Sequence, residues 1–481
     1  MNEAILRIYH WLPFPVRNAA ASLHGVRLRS RRYGPETERL VEEALERESW
    51  TANQWKEFQE QRLSLVLHRA VTFVPYYREL WAERRRRGER ASWEYLENWP
   101  ILEKESLREN PKAFLADDCD PRQMIHESTS GTTGKALDLW RSIETERAWY
   151  ALFEARSRRW YGVSRSMRWG ILGGQLVTPA GRTLPPFWIW NSALNQLYMS
   201  SYHLAPNLIG HYLDALGSYG ISYLYGYPSA LYELAQEALR SGRQNLKLKV
   251  VLANAEPVFA YQREAVEEAF QCSLRETYGM SELVTAASEC CEGRLHLWPE
   301  VGFIEVANEM GDLGEGRAGD LLGTGLLNID MPLIRYRVGD RVTLSGTGET
   351  CQCGRRLPLL SSVDGRLDDI LFTADGRHIG RLDPVFKAQL PIREAQIVQE
   401  ELDRIKVRYV PTADFKPAAA RLIVERLRAR LGRVEVIMER VDTVPRTANG
   451  KFRAVVCNLS PELKASLMKG RTPGRKTTDV T

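Results

Sequence analysis

The chain has 481 residues, of which 44% are hydrophobic and 26% charged, and its formal net charge is +5. That composition supplies cores for two or three domains and excludes fibrous, disordered and disulfide-scaffold classes. The modest positive balance favours anionic small ligands without calling for nucleic acid, because the basic residues are dispersed and no aromatic-basic platform appears.

No apolar run reaches the ~18 residues expected of a membrane span. Residues 4–32 set Ile5, Leu6, Ile8, Trp11, Leu12 and Phe14 beside Arg17, Arg27, Arg29, Arg31 and Arg32. Such a segment suits an anionic membrane surface. Pro13 and Pro15 should interrupt any long amphipathic helix, however, so docking onto the protein's own body is the expectation. The segment also lacks the unbroken apolar core and cleavage site of a secretory signal. Seven cysteines, at 119, 272, 290, 291, 351, 353 and 457, are odd in number and unevenly spread. They argue against a disulfide framework and for a reducing compartment, with the cytoplasm as the default.

Residues 35–120 read as helical and charged, and Arg84 to Arg87 as a solvated helix face. Ser128-Thr129-Ser130-Gly131-Thr132-Thr133-Gly134-Lys135 then gathers four hydroxyls, two glycines and a lysine. Gly131 and Gly134 allow sharp turns and close backbone approach to an anion, hydroxyls donate to phosphate oxygens, and Lys135 adds charge. It is not a Walker A loop: the glycines are three apart and Ala136 follows the lysine.

From 221 to 282 strands and helices alternate. Ile221–Tyr225, Leu248–Leu252 and Cys272–Thr277 read as strands, Pro228–Arg240 and Pro257–Phe270 as helices. This βαβαβ order implies a parallel sheet whose ligands sit beyond the carboxyl ends of the strands. Tyr225-Gly226-Tyr227, Asn254-Ala255-Glu256-Pro257 and Tyr278–Glu282 all fall there. Val301 to Leu344 turns strand-rich; Gly314–Gly319 satisfies GxGxxG but is read as a turn, since no helix follows. After Asp368 come strands near 395–400, 405–410 and 434–438 around a helix at 416–431. The polar tail 469–481 is expected to be disordered.

The phosphate-type loop resembles the signature of the adenylate-forming superfamily, and four further segments resemble its motifs in the same order. They are Tyr278-Gly279-Met280-Ser281-Glu282, Tyr336-Arg337-Val338-Gly339-Asp340, Gly365-Arg366-Leu367-Asp368 and Pro445-Arg446-Thr447-Ala448-Asn449-Gly450-Lys451. Within that superfamily the chain looks most like the phenylacetate–CoA ligase and CapK branch, on Tyr225–Ser229, Ala255-Glu256-Pro257 and the cysteine pattern. The resemblance implies an α/β, acyl-CoA synthetase-like fold. Residues 1–120 would form a helical N-terminal part and 121–367 an adenylation core with parallel sheets and a small β-rich subdomain. Residues 368–468 would form a small mobile α+β domain hinged at Asp368.

The same resemblance implies roles. Residues Thr129 to Lys135 would hold the β- and γ-phosphates of ATP, and Glu282 would bind Mg²⁺, a hard cation suited to carboxylate oxygen. Tyr278 would stack on adenine, beside Gly279, Met280, Ser281, Ala255, Glu256 and Pro257. Asp340 would bind the ribose hydroxyls, Arg366 the ribose or phosphate, and Lys451 would bridge acid oxygen and α-phosphate during adenylation. Tyr225, Tyr227, Gly173, Gly174 and Gln175 would approach the carboxylic acid. CoA is the leading acyl acceptor, with an amine or carrier-protein thiol next; transfer of AMP to a hydroxyl and a non-catalytic nucleotide binder stay open, as does a homodimer. Cys290, His296, Cys351 and Cys353 supply three thiolates and an imidazole, a tetrahedral zinc set with no open position, hence structural rather than catalytic. Cys291 could replace Cys290; Cys119, Cys272 and Cys457 are read as packing residues.

Overall fold

The computed structural model describes residues 9–469, apart from 130–136, 175–176, 179–181, 183, 205–207, 244–245, 308–317, 347–348, 367–370, 374–377, 380–381, 383–384, 386–389 and 447–451. The chain opens with helices α1 (Phe14–Arg32), α2 (Thr37–Glu46), α3 (Ala52–Phe73) and α4 (Pro75–Arg86). The two early prolines do not interrupt α1 as expected; they begin it. Pro13 is its N-cap residue and Pro15 falls in the first turn, where a missing N–H is no loss. Docking onto the body does occur. Asn18 Oδ1 and Ser22 Oγ accept the backbone N–H groups of Trp190 and Ser192, each at 3.0 Å. Buried Arg17 donates to Val177 O and Thr178 Oγ1 at 3.2 and 3.1 Å. Thr51 and Gln54 form a reciprocal capping box at the start of α3. At the end of α4, Arg84 pairs with Glu89 and Arg87 with Glu83, a solvated basic end.

A short helix α5 (Lys104–Glu109) precedes the hairpin of β1 (Ile125–Thr129) and β2 (Leu137–Arg141), in which Thr129 pairs with Leu137. Helix α6 (Ile143–Ser157) starts at Ser142, whose hydroxyl accepts the Thr145 N–H. There follow β3 (Trp169–Gly173), β4 (Trp188–Asn191), β5 (Gln196–Ser200), α7 (Ile209–Ser218) and β6 (Tyr223–Gly226). Then come α8 (Pro228–Arg240), β7 (Val251–Asn254), α9 (Ala260–Phe270) and β8 (Leu274–Gly279). Strands β5, β3, β6, β7 and β8 are parallel neighbours in that order. The short runs of β3, β5, β6 and β7 are buried at most positions on both faces, as helices on each side of a parallel sheet require, whereas β8 is buried only at Leu274. Pro228 opens α8, and Leu231, Leu234, Ala235 and Ala238 turn its apolar stripe into the core.

Past β8 come β9 (Ala286–Glu289), β10 (Leu295–Leu297), β11 (Gly302–Ala307), β12 (Ala318–Gly325), β13 (Tyr336–Leu344) and β14 (Leu359–Arg366). Among the described residues these join one twelve-stranded sheet of order β11-β12-β13-β14-β10-β9-β8-β7-β6-β3-β5-β4. Gly302 is required there, since a Cβ would lie 1.8 Å from the Val284 carbonyl oxygen. Residues 314–317 of the GxGxxG string lie outside the described residues; the string runs into strand β12 at Ala318 and not into a helix.

The chain divides into two units. The first runs to Val338 and resumes over Val342–Val363; the second takes in Gly339–Arg341, Asp364–Thr447 and Phe452 onward. The second unit has its own sheet. Strands β15 (Leu371–Phe372) and β16 (His378–Ile379) form a hairpin, followed by β17 (Ile392–Glu401), β18 (Arg404–Pro411), α10 (Pro417–Leu431), β19 (Glu435–Arg440), β20 (Val455–Cys457) and α11 (Pro461–Lys469). Order β19-β18-β17-β20 packs on α10 through Ile397, Ile405, Val407, Ile423 and Leu427. The mixed α/β class with a small α+β C-terminal unit is the one the sequence predicts.

Candidate functional site

Four segments singled out in the sequence end at one edge of the parallel sheet. Gly226 pairs with Leu172 and Ala253, and Asn254 with Thr277, so the exits of β3, β6, β7 and β8 lie side by side. Gly173 and Gly174 leave β3, Tyr225 and Tyr227 bracket the end of β6, Ala255–Pro257 follow β7, and Tyr278–Glu282 end β8. A Cβ on Gly173 would sit 2.2 Å from the Tyr198 hydroxyl, so a larger residue there would have to displace that side chain. The Tyr225 hydroxyl bonds Thr277 and Asn254, and burial raises its pKa; its ring meets Phe153 edge-on at 5.7 Å. Tyr227 caps α8 and packs, half-buried, on the core beneath.

Two non-glycine residues in these loops hold left-handed backbone: Ala255 with φ +64° and Leu283 with φ +53°. For a residue with a Cβ that conformation costs ~1–2 kcal/mol, and such strain collects at functional loops. The Glu256 carboxylate accepts the Ser229 N–H at 3.1 Å, in the electropositive first turn of α8.

Glu282 is nearly buried, its side chain 10% exposed. Its Oε1 accepts from Tyr336 Oη at 3.2 Å and from Lys104 Nζ at 3.3 Å. Burial, then the adjacent Glu282 charge, pushes the Tyr336 hydroxyl well above the ordinary phenol range, so it stays a donor. The neighbouring Ser281 hydroxyl donates to Glu127 Oε1 at 2.8 Å. Glu127 lies in β1, two residues before Thr129, and its other oxygen pairs with Arg141 at 2.6 Å. Burial opposes charge on Arg141, but Glu146 and Glu127 outweigh it and hold the guanidinium above its ordinary pKa. The hairpin that carries the Ser/Thr/Gly loop is thereby fixed to the segment that carries Glu282. Sequence reasoning missed Lys104, Glu127 and Arg141; none stands in a motif, and only tertiary pairing reveals them. It also missed Trp149, whose ring would lie 3.5 Å from a Cβ on Gly279.

Thr129 closes the described part of β1, while Ser130, Gly131, Thr132, Thr133, Gly134 and Lys135 lie outside the described residues, as do Gln175, Asp368 and Lys451. Asp340 lies in β13 after Gly339, which has φ +90°, and Arg366 ends β14. In the second unit the residues flanking 447–451 are tied down: Arg446 pairs with Glu394, and its guanidinium lies 4.7 Å over the Phe452 ring.

A separate cluster joins Cys290, His296, Cys351 and Cys353, whose ligand atoms all lie within 4.8 Å of one another. The three thiols sit on two Cys-x-x-Gly turns, Cys290 on one and Cys351 with Cys353 on the other. Gly293 (φ +70°) donates to Cys290 O, and Gly354 (φ +82°) donates to Cys351 O. The His296 Nδ1 faces Leu357 O at 3.3 Å, leaving Nε2 directed at Cys353 Sγ, 3.4 Å away. Burial, ahead of the nearby arginines, pushes that imidazole down to about 4. A neutral imidazole with Nδ1–H anchored on a carbonyl is the form a metal ion needs. Cys291 is exposed and turned to Glu292, so Cys290 is the member of the set. The donors therefore fit a tetrahedral zinc ion. Around them Trp160 meets His296 edge-on, Arg355 stacks on Trp160 at 4.1 Å, and both Trp160 and Arg355 bond Glu48. The cluster thus joins the β9–β10 turn, the approach to β14 and the end of α2.

Residues 371–458 match the CapK C-terminal domain. Protein CapK of Staphylococcus aureus is 24% identical over 464 residues, covering 94% of this chain and 99% of that protein. A phenylacetate–coenzyme A ligase of Thermus thermophilus is 28% identical over 357 residues, covering 70% of this chain and 74% of that ligase. In fold, the chain resembles a 2-hydroxyisobutyryl-CoA ligase crystallised in the postadenylation state with R3-HIB-AMP. The TM-score is 0.66 at 20% identity, with 88% of this chain and 93% of the other covered.

Proposed function

We propose that this homologue of CapK and of the phenylacetate–CoA ligases is an AMP-forming carboxylate-activating ligase. A carboxylate oxygen attacks the α-phosphorus of ATP and pyrophosphate leaves; the acyl-adenylate is then attacked at its carbonyl carbon by a thiol, and AMP leaves. The observation that carries this reading is the Ser281–Glu127 hydrogen bond, because it brings the strand entering Ser128–Lys135 beside Glu282. Triphosphate binding and a hard cation are needed at one place, and hydroxyls, backbone N–H groups and a carboxylate are the right donors.

In this reading Thr129 to Lys135 hold the triphosphate and Glu282 holds Mg²⁺, which would supply neutralisation of phosphate charge. Lys104 and Tyr336 orient the Glu282 carboxylate through its Oε1. Tyr278 and Ala255–Pro257 flank the adenine, with the strained turn at Ala255 fixing the backbone there. Asp340 and Arg366 take the ribose and phosphate, and Lys451 bridges the reacting oxygens. Zinc on Cys290, His296, Cys351 and Cys353 is structural.

CoA is the first choice of acceptor, since the phenylacetate ligases name it. ATP–pyrophosphate exchange across a panel of carboxylic acids tests the first step. Exchange with at least one acid, lost in Lys451→Ala, supports it; exchange that survives the substitution refutes the role of Lys451. Product analysis with CoA then separates thioester from free acyl-adenylate awaiting another acceptor.

A further inference from the structure

Among the described residues four large apolar side chains lie more than half exposed, and three of them belong to α1 and the residues leading into it. Trp11 (91%), Leu23 (75%) and Val26 (59%) belong to α1 and its lead-in; Leu184 (70%) belongs to the segment 177–187, on which Arg17 of α1 docks. Val16, at 46%, completes an outward ridge of α1 at helical spacing: Val16, Ala19, Leu23, Val26. The opposite face is fixed to the body through Arg17, Asn18, Ser22 and Gly25. The ridge is therefore presented by a braced helix and is not a core face waiting to fold inward.

Charge identifies what it meets. Helix α1 contains five arginines and no acidic residue. Arg17 is buried and Arg32 lies over the Tyr150 ring near Glu146. Arg27, Arg29 and Arg31 have no carboxylate partner among the described residues. A second copy docking through this face would set the same cationic patch against itself, an isologous contact that the arginines oppose. A nucleic acid would satisfy the arginines but offer nothing to Leu23, Val26 and Trp11. An anionic bilayer satisfies both: acyl chains for the ridge, headgroup charge for the guanidinium groups.

We infer that α1 is a peripheral membrane-docking surface for anionic lipid, placing this chain on a bilayer without crossing it. No helix of the described residues is long and apolar enough to span one.

The test is co-sedimentation of the full chain with phosphatidylcholine vesicles, with and without phosphatidylglycerol. The expected result is pelleting with the anionic vesicles and release by salt. Leu23→Glu with Val26→Glu should weaken partitioning by at least about tenfold. Arg27→Glu with Arg29→Glu should do likewise; both pairs are exposed, so the circular dichroism spectrum should not change. A chain that stays in the supernatant overturns the proposal, as does equal binding to neutral vesicles. It also fails if the native chain is a dimer that Leu23→Glu makes monomeric.

Discussion

Glu282 shows how much one side chain can be asked to do. A carboxylate this enclosed is costly unless its charge is met, and Lys104 and Tyr336 both meet it at Oε1. Glu282→Gln keeps the shape and the Tyr336 contact but removes the charge that would hold Mg²⁺. Pyrophosphate exchange should fall by about 10²-fold or more, with little change in Tm; exchange within about twofold of the native level would exclude Glu282 from the metal role. The motif was legible in the sequence because its aromatic, glycine and acid are local neighbours. Lys104 was not, since it stands 178 residues away and nothing around it marks it. Glu276, in strand β8 that leads into the same segment, carries a different consequence. Burial, then the Glu289 charge, raises its carboxyl from 4.5 to about 7, against the pull of Arg263. Between those two values the folded chain keeps a proton that the unfolded chain has released, so this group lowers stability as pH rises through the window. Glu276→Gln should therefore flatten the decline of Tm between pH 4.5 and 7, while Arg263 retains Glu289 at 3.0 Å. An unchanged Tm profile would remove Glu276 as its source.

At the level of elements, periodic signals read well and punctuation less so. Helix α8 begins at Pro228 and ends at Arg240 as its sequence indicates, because proline at the start and an apolar stripe leave little choice. Strands β6 to β8 each begin two or three residues later than their apolar runs, since the leading residues serve as loop and core together. Helix α1 was misjudged for a physical reason: proline is disruptive only inside a helix, and the two prolines stand at its start. The cysteine turns were legible as a donor set, and each carries a signal that went unused, a glycine three residues after the first cysteine. Those turns have a consequence. If zinc closes them, the native chain should hold one ion per molecule by elemental analysis. Cys353→Ser should lose the ion and lower the Tm, while Cys291→Ser should change neither. Loss of activity should follow unfolding and not appear in kcat of the remaining folded enzyme; a metal content unaffected by Cys353→Ser would dismiss the site.

Over the whole molecule the motifs are shared between two units, each with its own hydrophobic core. Glu127, Ser281 and Glu282 belong to the first. Arg446 and Phe452, which bracket the lysine segment, belong to the second and are held by an ion pair and a cation–π contact. In the proposed reading Lys451 serves one step only, since the two half-reactions build charge at different atoms. Adenylation develops charge between the acid oxygen and the α-phosphate, whereas thiol attack develops it on the acyl carbonyl. Lys451→Ala should accordingly depress pyrophosphate exchange by about 10²–10³-fold. Given synthetic acyl-adenylate and the acceptor, the same variant should form product within about threefold of the native rate, because the thiol step draws nothing from that cation. Equal losses in both assays would mean that Lys451 supports the fold or the nucleotide in general. Loss confined to the second step would reverse the assignment. Intact first and second steps would leave the segment without a catalytic part.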